Sequence, residues 1–338
     1  MQWRHFVKLF QCECGAQVFF DNTQCLSCGR SLGFEPRTVR MLSLPANQYR
    51  QCSNYSNEGV CNWLVEEGAE GELCQACELN HVIPDLSQPE NRQRWLEVEK
   101  AKRRLIYGLN RLGLPVLSKE RDPERGLSFD IKQGSDEQRV LTGHSDGLIT
   151  LNVEEADAAE REKMRVAMKE RYRTLLGHFR HEIGHYFWDR LVRDGEQLEP
   201  FRALFGDERA DYAEALRQHY ARTPDDAYAA TFITHYAASH PWEDFAETFA
   251  HYQHMTDTLE TASQFGFAST EGMVSDFEPL MSEWYRLTVA LNSLNRSMGL
   301  LDAYPFAITE AVAAKLRFVH DLVQRSGETG TNAASRAA

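Results

Sequence analysis

All eight cysteines of this 338-residue chain lie within its first 77 residues, at positions 12, 14, 25, 28, 52, 61, 74 and 77, and the rest of the chain has none. Any metal-held or covalent framework is thereby confined to one end, and the remainder must fold on its apolar core alone. Cys12-x-Cys14-Gly and Cys25-x2-Cys28-Gly place two close thiolate pairs ten residues apart, with a glycine after each where a knuckle has to turn. Four thiolates complete the tetrahedral shell of Zn²⁺, and in a reducing compartment thiolates persist as ligands where exposed disulfides open. Cys52, Cys61 and Cys74-x2-Cys77 read as a second four-thiolate set, with His81 able to replace one member. The expectation is two structural zinc ions.

Composition narrows the remaining classes. Apolar residues make up 42% and charged residues 26%, the proportions of an ordinary globular protein, so wholesale disorder is excluded. No stretch reaches the ~18–20 uninterrupted apolar residues of a membrane span, and the first residues lack the apolar run and small-residue cleavage site of a secretory signal, so the cytoplasm is the expected compartment. A net charge of −13 repels phosphate backbones. Locally, residues 1–50 carry six basic and three acidic side chains, but residues 51–88 carry none and seven. A protein partner for the cysteine region is favoured over nucleic acid.

The stretch His81-Val-Ile-Pro-Asp-Leu-Ser-Gln-Pro-Glu90 reads as a linker, and the chain divides into a cysteine region over 1–88, a large domain over 89–325 and a small, polar tail over 326–338 expected to be disordered. An amphipathic helix is expected over 89–113. Two short strands follow, Leu127–Ile131 with apolar and polar residues alternating and Gly147–Val153, which make a small sheet. Beyond 155, helices are expected near 156–170, 173–192, 208–221, 226–238, 241–263, 276–298 and 308–325. The fold class is α+β, with a small-sheet N-terminal region and a mainly helical second part.

The motif that carries chemistry is His181-Glu-Ile-Gly-His185. On a helix, residues four apart share a face, so both imidazoles can meet one metal ion while Glu182 flanks the open coordination position, which is how a water-activating site is built. Two histidines do not hold a catalytic zinc, and a third ligand is required. Trp188 and Leu191 stand where a Gly and a third His would extend the motif, which excludes a metzincin. Downstream, Pro241 opens a helix that sets Glu243 and Glu247 four apart. Glu243 serves as third ligand, and Glu247, a turn further on, accepts the outward N–H of a ligating imidazole and fixes its tautomer. Trp242, Phe245 and Phe249 form the adjacent stripe that packs this helix into the core. His251 and His254 lie roughly on the carboxylate face and could reach the cleft.

A helix bearing HExxH followed by a helix reading Glu-x-x-Ala-Glu resembles the gluzincin metallopeptidases, the group that includes thermolysin and the lethal-factor type of toxin protease. Over nearly its whole length the chain is more closely similar to the bacterial zinc-binding metallopeptidases that carry an N-terminal zinc ribbon, on the residues LLGHFRHEIGHYFWDRL, FRALFGDERADYAEALRQHY, HPWEDFAETFAHYQHMTDTLETA and CGAQVFFDNTQCLSCGRSLGF. Its first knuckle, Cys-x-Cys, is one residue tighter than usual. The resemblance implies a zincin-like domain, a zinc-dependent hydrolase of peptide or protein substrates with Glu243 as third ligand and Glu182 as general base, and one catalytic zinc beside the two structural ones. Tyr236, seven residues before Glu243, matches the tyrosine that donates to the oxyanion in lethal-factor-type relatives; His235 and His240 are alternative donors, and packing under the helix start is its bland role. The rival from another class is a non-catalytic zinc scaffold whose ribbon recruits a protein partner, and intact Glu182 counts against it. A di-iron site built on Glu182-x-x-His185 would need a second ExxH on a bundle helix, and the other instance, Glu78-x-x-His81, sits beside the cysteines. The acidic stretch Gly206–Asp211 recurs in the resemblance, and its plain reading is a solvated turn before a helix.

Overall fold

The computed structural model describes residues 9–134, 140, 142–168, 170–221, 226–269 and 275–334. The chain forms two compact units. The first takes in the described residues of 1–107, 116–160 and 260–268, and the second those of 108–115, 161–259 and 269–338.

The first unit begins with three two-stranded antiparallel pieces: β1 (Leu9–Gln11) with β2 (Gln17–Phe19), β3 (Leu32–Glu35) with β4 (Arg40–Ser43), and β5 (Tyr49–Gln51) with β6 (Leu64–Glu66), the last pair separated by the single turn α1 (Ser53–Ser56). Strands this short cannot stand alone, and an aromatic cluster joins them. Phe34 lies 4.9 Å from Phe20 and 5.2 Å from Trp63, ring centre to ring centre, and Tyr107 closes on Phe20 at 5.4 Å. The chain continues through β7 (Asn80–Val82), the long helix α2 (Pro89–Arg111), β8 (Ser128–Lys132), β9 (Gly143–Ser145) and β10 (Leu148–Asn152). These strands form one sheet in the order β7-β8-β10-β9, with β7 and β10 parallel to β8 and β9 antiparallel to β10. The alternating sequence of β8 implied one solvated face, yet Ser128 and Asp130 are buried along with Phe129 and Ile131. A central parallel strand is covered on both faces. Asp130 tolerates burial because His81 and Lys132 approach it at 2.7 and 2.5 Å.

The second unit is helical: α3 (Ala158–Ala167), whose first turn belongs to the first unit, then α4 (Leu175–Phe187), α5 (Leu198–Phe205), α6 (Tyr212–Ala221), α7 (Pro241–Gln264), whose end returns to the first unit, α8 (Phe277–Ser297) and α9 (Glu310–Ala334). Thr174 caps α4 by accepting the Gly177 N–H at 2.9 Å. At its far end α4 widens into one π-helical turn, Trp188–Arg193, a distortion that recurs at functional sites. The helix expected over 226–238 is instead two 3₁₀ turns, Asp226–Ala230 and Tyr236–Ser239. Thr234 starts the second by accepting the Ala237 N–H at 3.0 Å, a local bond that competes with a continuous helix. At the C-terminus, where the tail was expected to be disordered from 326, α9 runs on to Ala334. Extending a helix already nucleated on buried Val312, Leu316, Val319 and Val323 costs little per residue.

Phe245 and Phe249 of α7 are fully buried, stacked between Phe187 of α4 and Phe205 of α5 at 5.4–5.8 Å. Around them, buried charges meet opposite charges. Asp257 takes Arg180 at 2.5 Å and Arg111 at 3.3 Å, all three nearly inaccessible, and Asp244 takes Lys315 at 2.6 Å. Asp257→Asn removes the charge that Asp257 presents to both buried guanidinium groups, so urea denaturation should show unfolding easier by about 3–5 kcal/mol; a loss below about 1 kcal/mol would mean that other groups or water compensate these arginines.

Candidate metal centre

The close approach of α4 to α7 makes the centre. A Cβ at Gly184 would lie 2.8 Å from Cα and 3.0 Å from the carbonyl oxygen of Ala246, so a glycine inside HEIGH is what allows the two backbones to meet. Four residues apart on α4, His181 and His185 then face Glu243, in the first turn of α7. The Nε2 atoms of the two histidines are 3.2 Å apart, and Oε2 of Glu243 stands 3.0 Å from His181 and 3.3 Å from His185. A tetrahedral zinc ion about 2.0–2.1 Å from its nitrogen and oxygen ligands separates them by about 3.3–3.4 Å. The three donors fit that edge length, and His181, His185 and Glu243 could hold a metal ion by both geometry and donor type.

Glu247 accepts from Nδ1 of His181 at 2.7 Å, which leaves Nε2, facing Glu243, as the atom that a metal ion could take once its proton is displaced. Burial disfavours a charged imidazole at His181, but Glu243 and Glu247 outweigh it and raise its proton affinity well above normal. Burial likewise opposes ionisation of Glu243, and the hydrogen bonds and charge of His181 and His185 prevail, holding it well below the usual carboxylate range. The proton shared by a carboxylate and imidazoles this strongly coupled is what a divalent cation would displace on binding to them.

Around this group lie further side chains, of which the sequence did not single out Tyr212. Trp242 stacks on His185, centroids 3.7 Å apart and planes 34° from parallel. Tyr212, the first residue of α6, donates its hydroxyl to Oε1 of Glu243 at 2.6 Å. Tyr236 places its ring 5.7 Å from that of His181, and burial, the charge of Glu243 and the neighbouring Tyr212 hydroxyl push its phenol far above an ordinary tyrosine, so it stays protonated. His235, by contrast, packs on His219 at 4.2 Å. His240 bonds the Ala210 carbonyl and accepts the Trp242 N–H, each at 3.1 Å. His251 and His254 do not reach the cleft: they are packed against Tyr304, Phe306 and Trp284, and burial depresses them to about 4 and about 3. Glu182 is buried on α4, and among the described residues no hydrogen bond or ion pair engages its carboxylate.

The cysteines assemble as two sets, Cys12, Cys14, Cys25 and Cys28, and Cys52, Cys61, Cys74 and Cys77. In both, Sγ atoms stand 3.7 Å apart, Cys12 from Cys28, Cys14 from Cys25 and Cys61 from Cys74. Ligands about 2.3 Å from a tetrahedral zinc are separated by about 3.8 Å, so sulfur geometry fits as well. Gly15 and Gly29 turn the first two knuckles at φ +86° and +75°, and their N–H groups bond the carbonyls of Cys12 and Cys25 at 2.8 Å. The first set is partly exposed at Cys14 and Cys28, whereas the second is wholly buried. Backbone N–H groups of Trp63 and Cys74 approach its sulfurs at 3.3 Å, and Arg103 is buried beside it, bonded to the Val60 carbonyl. His81, the alternative ligand, is committed to Asp130 instead.

A chain with two four-thiolate sets ahead of a helical unit carrying a His-His-Glu group is the arrangement of a zinc-ribbon metallopeptidase. Residues 91–322 match the family described as "Putative zinc-binding metallo-peptidase", and residues 9–88 match a zinc-ribbon domain. The chain belongs to this zinc-binding metallo-peptidase family. It is 41% identical over 323 residues to uncharacterized proteins of Mycobacterium bovis and Mycobacterium tuberculosis, across 93% of this chain and 94% of each relative. No solved structure matches it. Among the described residues no helix is long and apolar enough to cross a membrane.

If Glu243 is a ligand and Glu247 a support, Glu243→Ala should empty this centre, while Glu247→Ala should keep the metal but weaken it ~10–100-fold. Zinc competition titration of the two variants checks the pair, and the opposite order would reverse the assignment.

Proposed function

We propose that the protein is a zinc-dependent peptidase of the gluzincin type, with His181, His185 and Glu243 as ligands of one catalytic zinc and the eight cysteines as ligands of two structural ones. The observation that carries this reading is Glu182: a buried carboxylate beside the ligand set, with no protein partner among the described residues. A purely structural site has no use for such a group. It has the placement of a base kept open for water.

Zinc, when bound, acidifies a coordinated water toward neutrality and polarises the scissile carbonyl. Glu182 takes the proton of the attacking water and returns it to the leaving amine. Negative charge gathers on the former carbonyl oxygen as attack proceeds, and a donor aimed there lowers the barrier. Tyr236 fills that role: its phenol remains protonated across the working pH, and of the three candidate donors it is the one whose ring lies against His181. Glu247 holds His181 in the tautomer that offers Nε2.

The ribbon over 1–88 serves a protein partner, while the domain over 89–325 acts on peptide or protein substrates. Thiolate sites of this kind keep their ligands most readily in a reducing compartment, which favours the cytoplasm. A non-catalytic zinc scaffold remains the rival, and one comparison separates the two. Against a diverse peptide library, Glu182→Gln should retain zinc and fold yet lose nearly all cleavage, and Tyr236→Phe should lower the turnover number by on the order of 10²-fold with zinc content unchanged. Wild-type protein with its full metal complement and no cleavage of any library peptide would favour the scaffold; unaltered turnover in Tyr236→Phe would remove the donor role.

A further inference from the structure

The segment Gly206-Asp-Glu-Arg-Ala-Asp211 has no part in the chemistry above, yet it delivers a residue to the metal centre. It ends at Tyr212, whose hydroxyl donates to Oε1 of Glu243 at 2.6 Å. The other oxygen, Oε2, is the one that faces both imidazoles, at 3.0 and 3.3 Å. The two oxygens of one carboxylate are thus divided, one to a phenol and one to the metal-binding group. The Glu243 side chain is only 2% exposed, so solvent is poorly placed to substitute for the phenol.

Tyr212 is held in this pose from several directions. Asp211 caps α6 by accepting the Glu214 N–H at 2.9 Å, which sets Tyr212 at the first helical position. Upstream, Arg202 forks onto Glu208 at 2.5 and 3.0 Å. Gly206, at φ +102°, comes so near the start of α7 that a Cβ there would be 3.3 Å from Cγ of Pro241. His240 is the cross-brace: Nε2 donates to the Ala210 carbonyl, Nδ1 accepts the Trp242 N–H, and its ring meets Tyr212 edge-on at 5.2 Å. Strap and ligand are therefore fastened to the same helix start.

We propose that Tyr212 is a positioning residue that restricts Glu243 to ligation through one oxygen. A carboxylate gripping zinc through both oxygens fills the position that a catalytic centre leaves for water, and one held by a phenol cannot turn to do so. The inference rests on the reading of His181, His185 and Glu243 as metal ligands.

The test uses the full chain, stripped at this centre with a chelator and reloaded with Co²⁺ while the cysteine sites keep their zinc. Tyr212→Phe leaves the ring against His240 and Trp242 and removes only the hydroxyl. It should keep its fold and thermal transition, bind zinc at this centre ~10–100-fold more weakly, and show a shifted visible Co²⁺ absorption as the second carboxylate oxygen takes the place of water. His240→Gln, which loosens the strap and keeps the phenol, should move both readouts in the same direction by less. Wild-type affinity and a wild-type Co²⁺ spectrum in Tyr212→Phe would overturn the proposal. Wild-type protein that takes up no Co²⁺ at this centre would overturn the ligand reading, and the proposal with it.

Discussion

Backbone-to-backbone contact between α4 and α7 is the constraint on which the centre depends. Two of the three converging donors ride on one helix and the third on the other, and their spacing of 3.0–3.3 Å survives only while Gly184 lies against Ala246. A single added methyl at that glycine would part the helices by a few tenths of an ångström or more, enough to spoil the tetrahedral edge. Aromatic packing supplies the pressure behind the contact. Phe187 stacks on Phe249 and Phe245 seats between Phe201 and Phe205, while Lys315 of α9 reaches Asp244, one residue from Glu243, and secures the first turn of α7.

Electrostatics divides the molecule's two kinds of metal-binding group. Four thiolates around one divalent ion leave two negative charges, which are costly to bury. The set at Cys52, Cys61, Cys74 and Cys77 is wholly buried, and Arg103 lies within reach of its charge. Nearby on the same helix, Glu99 ties Lys102, Trp95 and Asn80 into one network. The set at Cys12, Cys14, Cys25 and Cys28 leaves two members to solvent. Two neutral imidazoles and one carboxylate leave a net positive charge on a bound divalent ion, which is the condition for polarising a carbonyl and acidifying water.

Local features of the site were legible in the sequence because they are local. HEIGH gives its geometry away by a spacing of four on a helix, and Pro241 with Glu243 and Glu247 gives the second helix its start and its face. The cysteine sets followed from knuckle spacing, down to glycines that the structure finds at positive φ. What escaped notice depends on contacts between distant elements. Tyr212 lies 31 positions from Glu243, and nothing in its own neighbourhood beyond the Asp211 cap says that its hydroxyl points at that carboxylate. His81 looked available to the cysteines only because its partner, Asp130, lies 49 residues away on β8. The helix expected over 226–238 gave way to two 3₁₀ turns through the Thr234 side chain, a competition that periodicity does not register.

Diffraction from crystals of the zinc-loaded full chain, recorded at the zinc absorption edge, tests the central claim most directly. The account predicts three anomalous peaks: one amid each set of four sulfurs, and a third about 2.0–2.1 Å from Nε2 of His181, Nε2 of His185 and Oε2 of Glu243, with a water as fourth ligand. Peaks at the cysteines alone, or a third peak ligated by other side chains, would contradict it.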